Sequence, residues 1–376
     1  MIKLLKLWKQ IANHRYSIKA SLLPGEKLRF VNWYLLHGCD LSCSYCKVPK
    51  QKIRVMDRNT RKEALKRIST LCARKTLISI IGGEPTLRPD LLVGAVQDAV
   101  EEGFLVNIVT DGWGLTPDLI KRLGTAGLHH LAISVDCHES AEKANLVRAL
   151  KLHAVTKQEG ILPVINTVIT RDTDIATFKR FSNTIMRKGV FLSPLVCSPE
   201  VPKGVFSSAL PMSVPATEQL RKIVPWLIWK KLTTGLVTAS FGYLLILLRS
   251  GNSGNGKTHL WHCSPTFRSK RHRHGRGYIT LDSDGFIGPC QEFPRLVNIF
   301  DIPLSEVTLT RLDEKFTGTT KKCPGCLHNC YVMEEEVGGL KTLAEIPMLF
   351  QMVNIKINRE FVSQGIAPKE ISVCNM

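Results

Sequence analysis

The sequence predicts an α/β fold with an open sheet of six parallel strands. Short apolar runs alternate with helix-length amphipathic segments from Leu28 to about Pro194, and β-branched residues crowd most of these runs. The alternation is typical of parallel strands joined by right-handed crossovers. Eight such units would close a barrel, whereas six leave it open. The 376 residues also leave room for a second domain, since one domain takes roughly 100–200 residues. We therefore expect a partial, TIM-like (β/α)6 barrel and a small C-terminal domain.

The predicted strands are the six apolar runs, most of which end at Gly, Pro or Asp. They span residues 28–35, 77–81, 104–110, 130–136, 162–170 and 191–196. A helix is predicted from Pro89 to Gly103, because apolar residues recur at the helical period and a glycine ends the pattern. Thr116 and Pro117 predict the start of another helix, as its N-cap and first residue. The uncharged run 232–248 is shorter than the ~20 residues of a membrane-spanning helix and is predicted to form a buried helix pair.

Composition divides the chain into five segments. We expect a basic amphipathic segment, the barrel, a helical linker, a cysteine-rich domain and a helical tail, at residues 1–27, 28–215, 216–256, 257–335 and 336–376. The formal net charge is +19, and a second basic cluster lies at 268–276. This positive charge is compatible with binding to nucleic acid, to an anionic membrane surface or to an acidic substrate. It is equally compatible with an ordinary solvated surface.

The N-terminus is not expected to be a secretory signal, because Lys3, Lys6 and Lys9 interrupt its apolar residues. We therefore expect a cytoplasmic protein whose 12 cysteines stay reduced and act as metal ligands, catalytic thiols or packing residues. Four of them have no partner at ligand spacing and are expected to be packing residues: Cys72, Cys137, Cys197 and Cys374.

Three cysteines follow the first predicted strand at the spacing C-x3-C-x2-C. They are Cys39, Cys43 and Cys46. Three thiolates on one short loop can hold three corners of a cubic iron–sulfur cluster and leave the fourth iron open to a ligand. The alternatives are a zinc site without its fourth ligand and a chance grouping. Zinc sites usually pair one C-x2-C motif with another, so the spacing favours a cluster.

This loop resembles the signature of the radical S-adenosylmethionine (radical SAM) enzymes. That signature has the same cysteine spacing and an aromatic residue where this chain has Tyr45. A second match lies at the end of the second predicted strand, where the family holds the methionine amino group of SAM with a G-G-E-P segment. The corresponding residues are Gly82, Gly83, Glu84 and Pro85. The resemblance covers about residues 28–196 and implies a SAM-binding 4Fe–4S cluster on the three cysteines.

Three further residues are candidates for SAM binding by the same resemblance. Asp111 stands in T-D-G where relatives often carry T-N-G. Ser134 lies in I-S-V-D, where relatives place a polar residue near the SAM ribose. Asn166 lies in the fifth predicted strand and is either a contact of the methionine carboxylate or a core residue. The motifs fall at or near carboxyl ends of predicted strands, where parallel α/β folds bind their ligands.

A second group of cysteines lies near the C-terminus. Its members are Cys263, Cys290, Cys323, Cys326 and Cys330. Gly285, which forms a Gly-x4-Cys pattern with the second of them, and the later C-x2-C pair resemble the auxiliary-cluster extension called SPASM, or its shorter form, twitch. A full SPASM extension has seven cysteines, so five imply one auxiliary 4Fe–4S cluster, on the first two with two of the last three. A structural zinc is the alternative. His262 and His328 flank the group and are candidates for contacts around its ligands.

The resemblance implies a radical SAM oxidoreductase or maturase. The reduced cluster would cleave SAM to a 5′-deoxyadenosyl radical, which abstracts hydrogen from a peptide or a small molecule, while the auxiliary cluster relays an electron. A flavodoxin or ferredoxin is the expected reductant. The competing hypotheses are a zinc-stabilised nucleic-acid-binding protein and radical SAM modification of a nucleotide or RNA. The pattern identifies no catalytic acid, base or radical-quenching residue.

Overall fold

The computed structural model describes most of the barrel and part of the C-terminal region. The described residues are 27–43, 45–46, 54–137, 146–198, 214–252, 258–259, 277–293, 295–320, 326–328 and 351. Several predictions concern residues outside this set. They are those for the N-terminal segment, the basic cluster at 268–276, nearly all of the C-terminal tail, His262, Cys263, Cys323, Cys330 and Cys374.

Six parallel strands, neighbours in the order of the chain, form the centre of the main sheet. They are β1 (Leu28–Leu36), β2 (Cys72–Gly82), β3 (Leu105–Thr110), β4 (His130–Ser134), β5 (Leu162–Ile169) and β6 (Phe191–Val196). Each strand pairs with the next one along the chain, as in a barrel and unlike a doubly wound sheet. The predicted partial (β/α)6 barrel is confirmed.

Five helices connect these strands. They are α1 (Arg58–Leu71), α2 (Pro89–Glu101), α3 (Pro117–Thr125), α4 (Leu146–Gln158) and α5 (Ile175–Arg187). Helices α1 to α4 contact each other in chain order, so they lie on one side of the sheet. Three begin at side-chain caps: Asp57, Thr116 and Asp174 each accept a backbone N–H of the first turn. The cap predicted at Thr116 is thus present.

The two faces of the sheet differ in burial. The outer face packs under the helices, where Val31, Trp33, Ile78 and Ile80 are at most 1% exposed. The inner face is more open, since buried and half-buried residues alternate along β3 and in the second half of β5. This inner face leads to the carboxyl ends of the strands, where the predicted motifs lie.

Two helices follow β6, namely α6 (Thr217–Thr234) and α7 (Phe241–Leu247). The buried helix pair predicted for 232–248 is only partly correct, because α6 ends at the start of that run and α7 alone lies within it. Leu232 and Leu245 are 47% and 39% exposed, so the run is not fully buried either. The segment between the helices adds to the sheet beside β6, because Val237 pairs with Leu192 in parallel. The region predicted as a linker therefore packs on the barrel. Among the described residues, no helix combines the length and apolar character needed to cross a membrane.

The described part of the C-terminal region is continuous with the barrel sheet. A small hairpin of β7 (Gly251–Asn252) and β8 (Thr258–His259) comes first. Strands β9 (Tyr278–Leu281), β10 (Phe286–Gly288) and β11 (Val297–Asn298) follow, and then α8 (Leu309–Thr320). Strand β9 pairs with β1 in parallel, and β10 and β11 continue antiparallel. Among the described residues the sheet thus has nine strands, and the region 277–302 is called the extension below.

Candidate functional site

The three cysteines of the first group lie on the loop that follows β1. Cys39 and Cys43 are half-buried, Cys46 is exposed, and none of the three is in a disulfide. Two bonds shape the loop: the Leu41 N–H donates to Cys39 Sγ at 3.4 Å, and the Cys46 N–H donates to Cys43 O at 3.0 Å. Joint ligation of one metal group by the three thiols stays a prediction, because the ligand atoms that the described residues bring together include Cys39 but not Cys43 or Cys46.

The surroundings of Cys39 suit a bound cation. Burial raises the pKa of the Cys39 thiol to about 11, and the nearby acidic side chains, Asp40 first, act in the same direction against the Leu41 hydrogen bond. A thiolate is therefore unfavourable here without positive charge to offset it. Ligand atoms of Cys39, Asp40 and Asp111 lie within 4.8 Å of one another. The iron atoms of a cluster would supply that positive charge, so this side chain fits the predicted group.

The G-G-E-P segment is in direct contact with the start of the cysteine loop. The Gly83 N–H donates to Leu36 O at 2.8 Å, and the Glu84 N–H donates to Gly38 O at 2.7 Å. A Cβ on Gly82 would lie 2.1 Å from Leu36 O, and one on Gly83 would lie 1.8 Å from Gly38 O. Both positions require glycine because of this close approach.

Glu84 joins the ends of β2 and β3. Its buried carboxylate accepts the Thr86 N–H at 2.9 Å, the Thr86 hydroxyl at 2.6 Å, the Thr110 hydroxyl at 2.7 Å and the Asp111 N–H at 2.7 Å. The sequence predicts Glu84 only as part of the cofactor segment. These four bonds add a structural role, because they set the positions of both strand ends relative to the cysteine loop.

Asp111 presents an unsatisfied oxygen to this site. Its Oδ1 accepts the Trp113 N–H at 2.8 Å, whereas its Oδ2 is buried and has no hydrogen-bond partner among the described residues. Burial, followed by the charge of Glu84, raises the pKa of Asp111 to about 7. A buried carboxylate without a donor is costly, so the position fits a positively charged ligand group such as those of SAM.

The I-S-V-D motif, which contains Ser134 and Asp136, lies at the ends of β4 and β5, opposite the cysteine loop. Ser134 and Asn166 are paired in register and half-buried. Asp136, just beyond β4, accepts a hydrogen bond from the Tyr45 hydroxyl. Burial, and then this carboxylate, raise the pKa of Tyr45 far above its usual range, so the phenol keeps its proton. Asp136 is the last residue of the I-S-V-D motif, but the sequence does not predict its contact with Tyr45.

Two cysteines of the second group are described, Cys290 and Cys326, and both are half-buried and outside any disulfide. His328, predicted to flank this group, contacts Glu292 with Nε2 2.7 Å from Oε1. The backbone of Leu327 is held by the Ser198 hydroxyl at 3.0 Å and by the Tyr243 hydroxyl at 2.8 Å. Since Ser198 follows β6, these bonds anchor the Cys326 segment near the carboxyl end of the barrel. The ligand roles of both cysteine groups stay predictions.

The remaining described cysteines are of two kinds. Cys72 and Cys197 are buried, as expected of packing residues, and Cys137 is half-buried beside Asp136. Burial raises the pKa of Cys72 to about 12 and that of Cys137 to about 11. These two thiols are therefore protonated at neutral pH.

Comparison with known proteins identifies the domain that carries the first cysteine group. Residues 33–169 match the model of the radical SAM superfamily. The PqqA peptide cyclase of Ruegeria pomeroyi is 33% identical over 147 residues, which cover 36% of this chain and 38% of that protein. The AdoMet-dependent heme synthase of Methanosarcina barkeri is 31% identical over 109 residues, which cover 29% of this chain and 31% of that protein. The chain thus spans under two fifths of the length of these relatives.

Solved structures share the fold over a larger part of the chain. Streptococcus suis SuiB bound to S-adenosylmethionine has a TM-score of 0.57 at 15% identity, over 81% of this chain and 71% of SuiB. The protein anSMEcpe with bound AdoMet and Cp18Cys peptide has a TM-score of 0.55 at 17% identity, over 90% of this chain and 100% of that chain. Both likenesses include more of the chain than residues 33–169. Residues 33–169 are therefore a radical SAM domain, and the chain shares the overall fold of these two solved structures beyond that domain.

Proposed function

We propose that this chain binds SAM at a 4Fe–4S cluster held by the thiols of Cys39, Cys43 and Cys46. When bound, this cofactor pair supplies the electron transfer that splits SAM, and the 5′-deoxyadenosyl radical so released abstracts hydrogen from a substrate. The contact between the cysteine loop and the G-G-E-P segment carries this proposal. It places the start of the cysteine loop against the predicted SAM-binding segment, with Glu84 N 2.7 Å from Gly38 O.

The chain's own residues bind and orient the cofactor. Gly82 and Gly83 keep the G-G-E-P backbone in contact with the loop, and Glu84 holds the ends of β2 and β3 together. SAM carries a sulfonium and an ammonium group, and the unpartnered Oδ2 of Asp111 is suited to either charge. Ser134 and Asn166 offer neutral hydrogen-bonding groups on the opposite side of the mouth.

The proposed auxiliary 4Fe–4S cluster lies in the SPASM-like region. Its ligands are Cys290 with Cys263 and two of Cys323, Cys326 and Cys330, and full ligation by four cysteines suits electron relay rather than substrate binding. The anchoring of Leu327 to Ser198 and Tyr243 supports a position close to the barrel mouth. A flavodoxin or ferredoxin is the proposed electron donor.

The inner face of the barrel supports an uncharged substrate segment. None of the strand residues 30–36, 77–81, 105–109, 130–134, 164–168 and 191–195 is Asp, Glu, Lys or Arg. The polar residues of the inner face are mostly amides and hydroxyls, namely Asn32, Ser79, Asn107, Ser134, Asn166 and Ser193, and His130 lies on the same face beside Asn107. Amides and hydroxyls recognise peptide bonds, whereas phosphates favour Arg and Lys. Together with the relative called a PqqA peptide cyclase, this favours a peptide substrate over a nucleotide.

Anaerobic reconstitution with iron and sulfide tests the cofactor proposal. We expect a brown protein that forms 5′-deoxyadenosine from SAM under dithionite, measured by mass spectrometry. Cys43→Ala should abolish this product, because one corner of the cluster loses its ligand. Cys72→Ala is the matched control, since Cys72 is a buried packing residue, and should retain it. A colourless zinc protein with salt-sensitive RNA or DNA affinity would support the competing hypothesis instead.

Deuterium transfer tests the substrate proposal. If a short reading frame lies beside this gene, its peptide product, deuterated at its side chains, is added to the reconstituted protein. A peptide substrate should place deuterium in 5′-deoxyadenosine, because the radical abstracts hydrogen from it. Unlabelled product and an unchanged peptide mass would count against that peptide, and label from a deuterated nucleotide would count against the peptide class.

A further inference from the structure

Tyr45 and Asp136 form a contact across the mouth of the barrel that the cofactor motifs leave unexplained. Tyr45 lies on the loop after β1, and Asp136 lies just beyond β4. The Tyr45 hydroxyl donates to Asp136 Oδ2, and Asp136 Oδ1 accepts the Val168 N–H at 3.2 Å. The carboxylate thus joins the cysteine loop to strands β4 and β5, three and four places from β1 in the sheet.

This contact restrains the far end of the cysteine loop. The end nearest β1 is held by the G-G-E-P segment, through the carbonyls of Leu36 and Gly38. Tyr45 stands at the other end, directly before Cys46, and its hydroxyl meets a carboxylate that is 7% exposed. A buried hydrogen bond to a carboxylate is stronger than one between neutral groups. Fixing the Tyr45 ring therefore also limits the movement of the adjacent cysteine.

We propose that Asp136 is a positioning residue, which accepts the Tyr45 hydroxyl and thereby holds the cysteine loop in the geometry that binds SAM. The inference rests on the proposed function of the loop. Both carboxylate oxygens of Asp136 accept donors of the chain itself, so this side chain couples the position of Tyr45 to the backbone of β5.

Equilibrium binding of SAM to the anaerobically reconstituted protein tests this role. Tyr45→Phe removes only the hydroxyl. Asp136→Asn removes the negative charge, so any contact that remains with the Tyr45 hydroxyl is a weaker bond between neutral groups. We expect each variant to weaken SAM binding about tenfold, since a hydrogen bond to a charged group is worth roughly 1.5–3 kcal/mol. The double variant should be no weaker than either single variant.

The electron paramagnetic resonance spectrum of the reduced cluster provides a second measurement. The change that SAM induces in the wild-type spectrum should be altered in the same way by Tyr45→Phe and by Asp136→Asn. Asp174→Asn is the matched control, because Asp174 caps α5 on the surface, and it should leave both SAM affinity and spectrum unchanged. Thermal unfolding of every variant shows whether weaker SAM binding results from an unstable fold or from a displaced cysteine loop.

Three results would overturn the inference while the proposed function stands. Wild-type affinity in Tyr45→Phe would show that the hydroxyl has no positioning role. A loss in Asp136→Asn alone would mean that Asp136 contacts SAM itself. Additive losses in the double variant would mean that the two residues act independently. A wild-type protein that binds no SAM would overturn the proposed function, and this inference with it.

Discussion

Single buried residues account for part of the expected pH dependence of this protein. His153 on α4 is fully buried, and its Nε2 lies 2.9 Å from Val164 O. Its Nδ1 has no hydrogen-bond partner among the described residues. Burial is the largest cause of a pKa lowered to about 3, so the imidazole is neutral in the folded protein. In the unfolded chain the same group titrates near its ordinary pKa of about 6.5.

This difference predicts a loss of stability in acid. The contribution of His153 to the free energy of unfolding is fully present above about pH 6.5. Below that pH it decreases by roughly 1 kcal/mol per pH unit, because only the unfolded state takes up the proton. His153→Gln retains an N–H donor and does not titrate. The free energy of unfolding in urea should therefore fall more steeply between pH 7 and pH 5 in the wild type than in this variant. Parallel curves would contradict the assignment.

At the scale of elements, an ion pair joins α1 to α2. Asp98 on α2 is 1% exposed and accepts the Arg61 Nε–H at 2.8 Å. Arg61 is itself only 4% exposed. The more exposed Arg58 lies 3.4 Å from the same carboxylate. The two helices that flank β2 are thus coupled through one buried charge.

Removing that charge should destabilise the protein strongly. Asp98→Ala leaves Arg61 buried without its counter-charge, and we expect a loss of about 3–5 kcal/mol. The matched variant Arg58→Ala removes a partner whose side chain is 61% exposed and should change stability by less than about 1 kcal/mol. Urea unfolding at neutral pH measures both values. Equal losses would show that burial of the pair does not decide its contribution.

The secondary structure was largely predictable from local sequence. The helix predicted over 89–103 is observed as Pro89–Glu101, and the strands predicted over 28–35 and 191–196 are observed as Leu28–Leu36 and Phe191–Val196. Period and capping are local properties, so they are readable without the fold. The short strands β9 to β11 were not predicted, because two to four residues show too little periodicity to be recognised.

For the whole molecule, the extension protects the strand that carries the cysteine loop. Strand β9 pairs with β1 along residues 30–33 and 278–281. Beyond the pairing, Arg67 on α1 donates to the carbonyls of Ile299 and Ile302 at 3.2 and 2.6 Å. His37, two residues before Cys39, lies with Nε2 3.9 Å from Asp282 Oδ2. Without the extension, β1 would become an open, apolar edge of the sheet.

A chain ended at residue 276 should therefore associate or aggregate, because an exposed apolar edge strand pairs with other chains. Size-exclusion chromatography of the purified protein, with the full chain as control, measures this outcome. We also expect lower iron loading on the first cysteine group, because the loop after β1 loses its support at His37. A truncated chain that stays monomeric and loads iron as the full chain does would contradict this role of the extension.

The sequence by itself determined the order of strands and helices, the C-x3-C-x2-C loop and the G-G-E-P segment, because periodicity, capping and motif spacing involve residues close together in the chain. Only the tertiary structure decided which distant groups meet. The bond from Tyr45 to Asp136 joins residues 91 positions apart, and the pairing of β1 with β9 joins residues 248 positions apart, as in Phe30 with Tyr278. Alternation along a strand predicts which face is buried but not which strand lies beside it.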